Sequence, residues 1–220
     1  MLLKEIKLKT KYLLALHHFY NQVLELPTTY GNGSITVVAG KSVLIFEETD
    51  AGINPFYHFA FNIPSNKFEE AFEWMKQKVE LLWLEDYEGY IANFVNWHAK
   101  SFYFLDPAGN ILELISRFDL NDIIEEKFSS AHIRNISEIG LVLSAENFQK
   151  DVDRLLLQYP LTYFDKQPPL PQFKALGDDK GLFIIVPENR AWFSAKSTES
   201  KKFPMEISFI DRGKLYNLKQ

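Results

Sequence analysis

The sequence predicts an α+β protein in which one strand-helix-strands unit is used three times in series. Three observations carry that class. Several short runs alternate apolar and polar residues, the period of a half-buried strand. Longer runs space their apolar residues by three or four, the period of an amphipathic helix. The same order of elements then restarts near residues 3, 56 and 136.

The first unit opens on Leu3 to Lys9, where Ile6 and Leu8 share one face and Glu5, Lys7 and Lys9 the other. From Leu13 to Leu26 the spacing Leu13, Leu16, Phe19, Tyr20, Val23, Leu24 is helical, and Pro27 ends it. Ser34 to Ala39 and Ser42 to Glu47 read as strands joined through Gly40-Lys41.

The second unit begins at residue 56. Tyr57, Phe59, Phe61 and Ile63 form an apolar face that requires a core, while His58, Ala60 and Asn62 lie opposite. Pro64-Ser65-Asn66, with Glu69 three residues past Asn66, resembles a capping box and opens a helix to about Val79 whose stripe is Phe68, Phe72, Met75 and Val79. A middle region, Tyr90 to Trp97, precedes strands at 101–105 and 111–116, joined by a turn at Asp106-Pro107-Ala108-Gly109-Asn110. The last strand carries Glu113 among apolar residues, where an unpartnered carboxylate would be costly, so a cation or a donor is implied.

Residues 118–135 read as a connector. The third unit, 136–220, starts with the strand Ile136 to Leu143, after which Ser144 caps a helix to about Tyr159. Gln167-Pro168-Pro169-Leu170-Pro171 is a stiff spacer before strands at 173–176, 182–186 and 205–210.

Composition narrows the function. A net charge of −5 argues against a general nucleic-acid binder. Without cysteine there is no disulfide, thiolate zinc site or thiol nucleophile. The N-terminal residues meet charge too early for a signal peptide and no run is long enough to span a membrane, so a soluble cytoplasmic protein is expected.

The run His58-Phe59-Ala60-Phe61 ahead of a helix, closed by Phe104-Leu105-Asp106-Pro107-Ala108-Gly109-Asn110-Ile111-Leu112-Glu113-Leu114, resembles the glyoxalase/bleomycin-resistance/extradiol-dioxygenase group, also called the vicinal oxygen chelate superfamily. The resemblance is most specific over residues 56–117. It implies βαβββ modules used in pairs, each pair folding mixed sheets around a cavity, with metal ligands on first and last strands. Carried over, modules 1–50 and 56–117 pair as one domain of 1–117, and the divergent third module covers that cavity or closes against a second chain in a homodimer. His58 and Glu113 fall on ligand positions. Where many metal-binding members have a first-module histidine, this chain has Glu5, giving a metal set of Glu5, His58 and Glu113. Some glyoxalases add a first-module glutamate; Glu47 is the nearest, although the aligned position is Ile45.

That set suits Mn²⁺, Fe²⁺, Zn²⁺, Ni²⁺ or Mg²⁺, and with it a lyase, isomerase or dioxygenase acting on a small oxygenated metabolite, with Glu5 and Glu113 catalytic. The other reading has no metal: His58 pairs with Glu113, and the cavity binds a small molecule without catalysis. Lys7 either holds an anionic ligand or salt-bridges Glu5. Tyr103, Trp97 and His98 are candidate ligand-binding residues, and Arg190 and Trp192 either close over a ligand or pack on the sheet. Glu138 sits in the third unit as Glu5 does in the first. His17 and His18, adjacent on a helix, cannot share a face as ligands.

Overall fold

The computed structural model describes residues 1–49 and 52–220. The first unit comprises β1 (Leu2–Thr10), α1 (Leu13–His18), β2 (Thr28–Gly31), β3 (Ser34–Ala39) and β4 (Ser42–Glu48). The helix is shorter than its apolar spacing predicts, because a π-type turn over Phe19–Val23 takes up its second half. That turn still buries Phe19 and Tyr20, and Tyr20 reaches the Asp106 carboxylate at 2.9 Å. Strands β1 and β4 run parallel in the register Leu8↔Phe46, and β3 and β2 add antiparallel outside them.

The second unit repeats this arrangement with β5 (His58–Ile63), α2 (Phe68–Lys76), β6 (Ala92–Phe94), β7 (Ala99–Leu105) and β8 (Ile111–Arg117). Strands β5 and β8 are parallel, followed by β7 and β6. Helix α2 buries Phe68, Ala71 and Met75 and starts one residue after Lys67. Asn66 is not its cap; the Asn66 side chain is bonded to the Ile124 backbone instead. The third unit has β9 (Asn135–Leu143), α3 (Phe148–Gln158), β10 (Lys174–Asp178) and β11 (Gly181–Pro187), with β9 and β11 parallel and isolated bridges at Tyr163↔Leu176 and Leu170↔Phe173. Helix α3 begins after Asn147, three residues beyond Ser144.

The remaining chain forms a small hairpin, β12 (Ala191–Trp192) with β13 (Ala195–Glu199), and a longer one, β14 (Met205–Asp211) with β15 (Lys214–Lys219). The class is α+β, with most strands joined in one 13-stranded sheet.

How the units pair differs from the expected arrangement. The second unit lies beside the third, β5 antiparallel to β9 with Phe59↔Ile139 and Ala60↔Glu138. The first unit pairs instead with β14, in the register Ile6↔Ile207 and Leu8↔Met205, and its one strand pairing with β9 among the described residues is Leu3↔Ile136. Burial explains the choice. Every residue of β5 and of β9 is buried, so both strands need cover on both faces. Strand β1 alternates, leaving Glu5, Lys7 and Lys9 partly exposed, and a strand with one wet face belongs over an open sheet rather than in a cavity wall. Residues 205–219 therefore complete the first unit's sheet rather than the third's. Gly40 docks the two halves: a side chain there would collide with the Arg134 backbone, and Lys41 N–H donates to the Arg134 carbonyl at 2.8 Å. Among the described residues no helix is long and apolar enough to cross a membrane.

Candidate active site

Register alone brings three titratable side chains together. Ala60 lies opposite Glu113 across the parallel β5–β8 pair and opposite Glu138 across the antiparallel β5–β9 pair. Since side chains alternate along a strand, His58 shares Ala60's face, and the alanine methyl leaves open the space over which all three converge. One ligand atom from each of His58, Glu113 and Glu138 lies within 4.8 Å of the others, and all three residues are buried.

The imidazole is fixed by its backbone contact. His58 Nδ1 lies 3.1 Å from the Ile111 carbonyl, which can only accept, so Nδ1 carries the proton and Nε2 keeps its lone pair. That lone pair faces Glu113 Oε2 at 3.7 Å, too far for a hydrogen bond. Burial lowers the imidazole pKa to about 4, against the partial opposition of the Ile111 carbonyl. Glu113 is 2% exposed and its Oε1 has no partner. Burial, then the charge of Glu138, pushes its pKa well above the usual carboxylate range. Glu138 is raised by burial and drawn back by Arg117.

Arg117, at the end of β8, is fully buried. Its Nη2 donates to Glu138 Oε1, its Nε donates to Ser137 Oγ at 3.3 Å, and its Nη1 lies 3.6 Å from Asp179 Oδ1. The guanidinium lies against the rings of Trp97 and Phe164, at 5.2 and 5.8 Å. From Asp179 the charges continue outward through Lys166 to Asp119, each contact at 2.7 Å.

The three converging side chains line a cavity of about 440 Å³, and its other walls are largely aromatic, including Phe94, Trp97, Tyr103, Phe173, Trp192 and Phe193. Tyr103 is the cross-strand partner of Glu113 and its ring stands 6.3 Å from His58. Burial first, and the Glu113 charge second, hold its hydroxyl protonated. The Trp192 ring lies 5.1 Å from His58.

Of the residues singled out in the sequence, His58, Glu113, Trp97 and Tyr103 meet at this cavity. His98 does not: it is exposed and bonded to Asp119 at 2.6 Å. Glu5 and Lys7 also lie elsewhere, 3.5 Å apart, in a groove shared with Glu206 and Lys219. Glu47 is bonded to Lys9 at 2.7 Å. Glu138, not Glu5, stands beside His58 and Glu113, and its signal in the sequence is a carboxylate in mid-strand between Ile136 and Leu143. Arg117 was not foreseen, because a charged residue at a strand end ordinarily reads as exposed.

The donor set fits a metal ion. An imidazole nitrogen and one carboxylate oxygen each from Glu113 and Glu138 form a one-nitrogen, two-carboxylate set, suited to Mn²⁺, Fe²⁺, Zn²⁺ or Mg²⁺. The Nδ1–H to carbonyl contact is the orienting bond that metal-bound histidines ordinarily make.

No protein-family model matches the chain, and no curated protein matches it. Solved structures do. A Bacillus subtilis protein called a "putative dioxygenase" is similar over 100% of this chain and 84% of its own, at 13% identity and a TM-score of 0.58. Two others match over about half of the chain. Lactoylglutathione lyase from Agrobacterium tumefaciens is 22% identical over 50% of this chain and 90% of its own, with a TM-score of 0.40. A fosfomycin resistance protein from Listeria monocytogenes, complexed with Mn(II), is 22% identical over 52% of this chain and 87% of its own, with a TM-score of 0.39.

Proposed function

From a chain with the fold of the glyoxalase/bleomycin-resistance/dioxygenase superfamily, we propose a metal-dependent enzyme that holds one divalent cation on His58, Glu113 and Glu138 and acts as a lyase, isomerase or dioxygenase on a small oxygenated molecule. The observation that carries the proposal is the unmet valence at the centre: the His58 Nε2 lone pair stands 3.7 Å from Glu113 Oε2, and Glu113 Oε1 is buried without a hydrogen-bond partner. A bound cation would supply Lewis acidity, polarising a substrate oxygen and stabilising negative charge that develops there.

The chain's own residues do the rest. The Ile111 carbonyl keeps His58 in the tautomer that presents Nε2. Arg117 balances one of the two carboxylates and anchors Glu138 by one oxygen, leaving the other free to turn inward. Tyr103, protonated beside Glu113, offers an O–H donor on the same wall as the ligand set. The aromatic walls exclude water and strengthen each of these interactions.

The Arg117–Glu138 pair also favours a second reading, in which the cavity binds a small molecule without metal, because a guanidinium already compensates one carboxylate. Metal stoichiometry separates the two. After dialysis against a chelator and addition of Mn²⁺, Fe²⁺, Zn²⁺ or Ni²⁺ in turn, the enzyme reading expects one equivalent bound, and loss of binding in both His58→Ala and Glu113→Gln. Absence of stoichiometric uptake of every ion would leave the metal-free reading standing.

A further inference from the structure

The chain has five arginines. Arg117, Arg134, Arg154 and Arg212 each form an ion pair with a carboxylate. Arg190, among the described residues, forms none. It is half-buried on the cavity wall and lies 5.6 Å over the Phe173 ring, which lines the same cavity. Among the described residues the guanidinium's one polar contact is a long one, Nη1 to the Ala191 carbonyl at 3.4 Å. In a chain with net charge −5, a guanidinium that is partly desolvated and left without a counter-charge is out of keeping with the rest of the molecule. Burial disfavours its charge, and no carboxylate among the described residues pairs with it to offset that cost.

A second donor lies two residues along. Trp192 also lines the cavity, and its Nε1 is buried with no acceptor. Buried N–H groups are almost always paired, so an acceptor is missing from this wall. Among the described residues that line the cavity Arg190 is the one cationic side chain, whereas Glu113 and Glu138 also line it and Glu138 already holds Arg117. The rest of the lining is largely aromatic.

We infer that the cavity takes a flat, largely apolar monocarboxylate, oriented with its carboxylate on Arg190 and its opposite end toward His58. A single guanidinium matches the planar carboxylate with two parallel N–H donors, whereas a phosphate dianion would call for more positive charge than this wall carries. No second cationic side chain among the described residues lines the cavity to receive another acidic group, so the ligand is a monoanion. The aromatic walls provide stacking surfaces for its body. This inference deepens the reading of the cavity as a ligand site and does not depend on the metal.

The test is binding of acid and amide pairs, cinnamate with cinnamamide and naphthoate with naphthamide, to chelator-treated protein, read by quenching of tryptophan fluorescence and by calorimetry. Each amide keeps the shape of its acid and lacks the charge. We expect the acids to bind about ten-fold or more tighter than their amides, the scale of one charge-assisted hydrogen-bonded contact. The Arg190→Gln variant is expected to lose that difference while still binding the amides, which shows that its cavity is intact. Arg190→Lys is expected to keep only part of the preference, since a point charge lacks the fork. Equal binding of acid and amide overturns the inference, as does a preference that survives in Arg190→Gln, or no binding of any of the four probes at millimolar concentration. Repeating the titration with Mn²⁺ separates this from the metal proposal: an acid preference that arises only with Mn²⁺ and is indifferent to Arg190 places the carboxylate on the cation and overturns the assignment to Arg190.

Discussion

Arg117 and Glu138 form an ion pair in which neither side chain meets solvent, the arginine at 0% and the glutamate at 4% exposure. With Glu113 beside them, the buried centre holds two carboxylates against one guanidinium. If both carboxylates are ionised, one negative charge is left over in a medium that tolerates none. Either a proton on Glu113 or a cation between Glu113 and His58 removes it. Proton and metal therefore compete for one place, and the apo and loaded forms of the site differ mainly in which of them occupies it.

Removing the guanidinium should expose that competition. Arg117→Met leaves Glu138 buried without its partner, and breaking such a pair costs about 3–5 kcal/mol. A cation on Glu138 would replace part of the lost counter-charge. The expected result, by thermal denaturation, is a large drop in Tm for metal-free Arg117→Met and a Mn²⁺-induced rise exceeding that of the unmodified protein. A smaller or equal rise would show that Glu138 is not a ligand.

Glu113→Gln is expected to raise stability while abolishing metal uptake. The folded protein raises the Glu113 pKa above its ordinary 4.5, so the folded state holds this proton more tightly than the unfolded state does. The sign follows from linkage: the group's favourable contribution is complete below pH 4.5 and is lost as the pH rises through the folded value. Glutamine cannot ionise, so the variant's advantage should widen with rising pH, by about 1.4 kcal/mol per unit at most. Denaturant melts of both metal-free proteins over a pH series measure it, and parallel curves would contradict it.

His58 acts with the opposite sign. Its pKa falls from 6.5 to about 4 on folding, so between those values the unfolded chain binds a proton that the folded one refuses. Stability should fall as the pH drops from 6.5 through about 4, and His58→Gln should lose that part of the acid sensitivity. Histidine resonances of the metal-free protein give the direct check: one imidazole should remain neutral well below pH 6. Titration of that ring near 6.5 would mean that solvent reaches the site.

His58 and Glu113 were legible because the information is local. Each strand announces itself by alternation, the turn from Asp106 to Asn110 marks where β8 begins, and the positions of the two residues follow. The pairing of units is not local. It depends on which strand can be buried on both faces, and although the exposed charges of β1 hint at this, the final β14–β15 hairpin had to be seen beside β1 before Glu5 could be separated from the cavity. Glu138 was readable as a misplaced carboxylate but not as the neighbour of Glu113. Arg117 was hidden for a different reason: a strand-end arginine is buried only when carboxylates and aromatic rings distant in sequence enclose it, here Glu138, Asp179 and Phe164 from the third unit together with Trp97 from its own.

The packing of Trp192 over the centre leads to a last prediction, at Gly140. This residue is on β9 two positions beyond Glu138, and a Cβ there would stand 2.7 Å from Trp192 Cη2 and 3.3 Å from the His58 carbonyl oxygen. The backbone contact is merely tight, but the contact with the indole requires the ring to move. Trp192 packs against His58 at 5.1 Å, so the displacement falls on the cavity wall. Gly140→Ala should cost about 1–3 kcal/mol, the scale of overpacking in a filled core. It should also shift tryptophan emission to the red and weaken cinnamate binding, while leaving Mn²⁺ uptake by His58, Glu113 and Glu138 close to that of the unmodified protein. Unchanged emission together with unchanged cinnamate affinity would show that Trp192 does not form the wall against which the ligand rests.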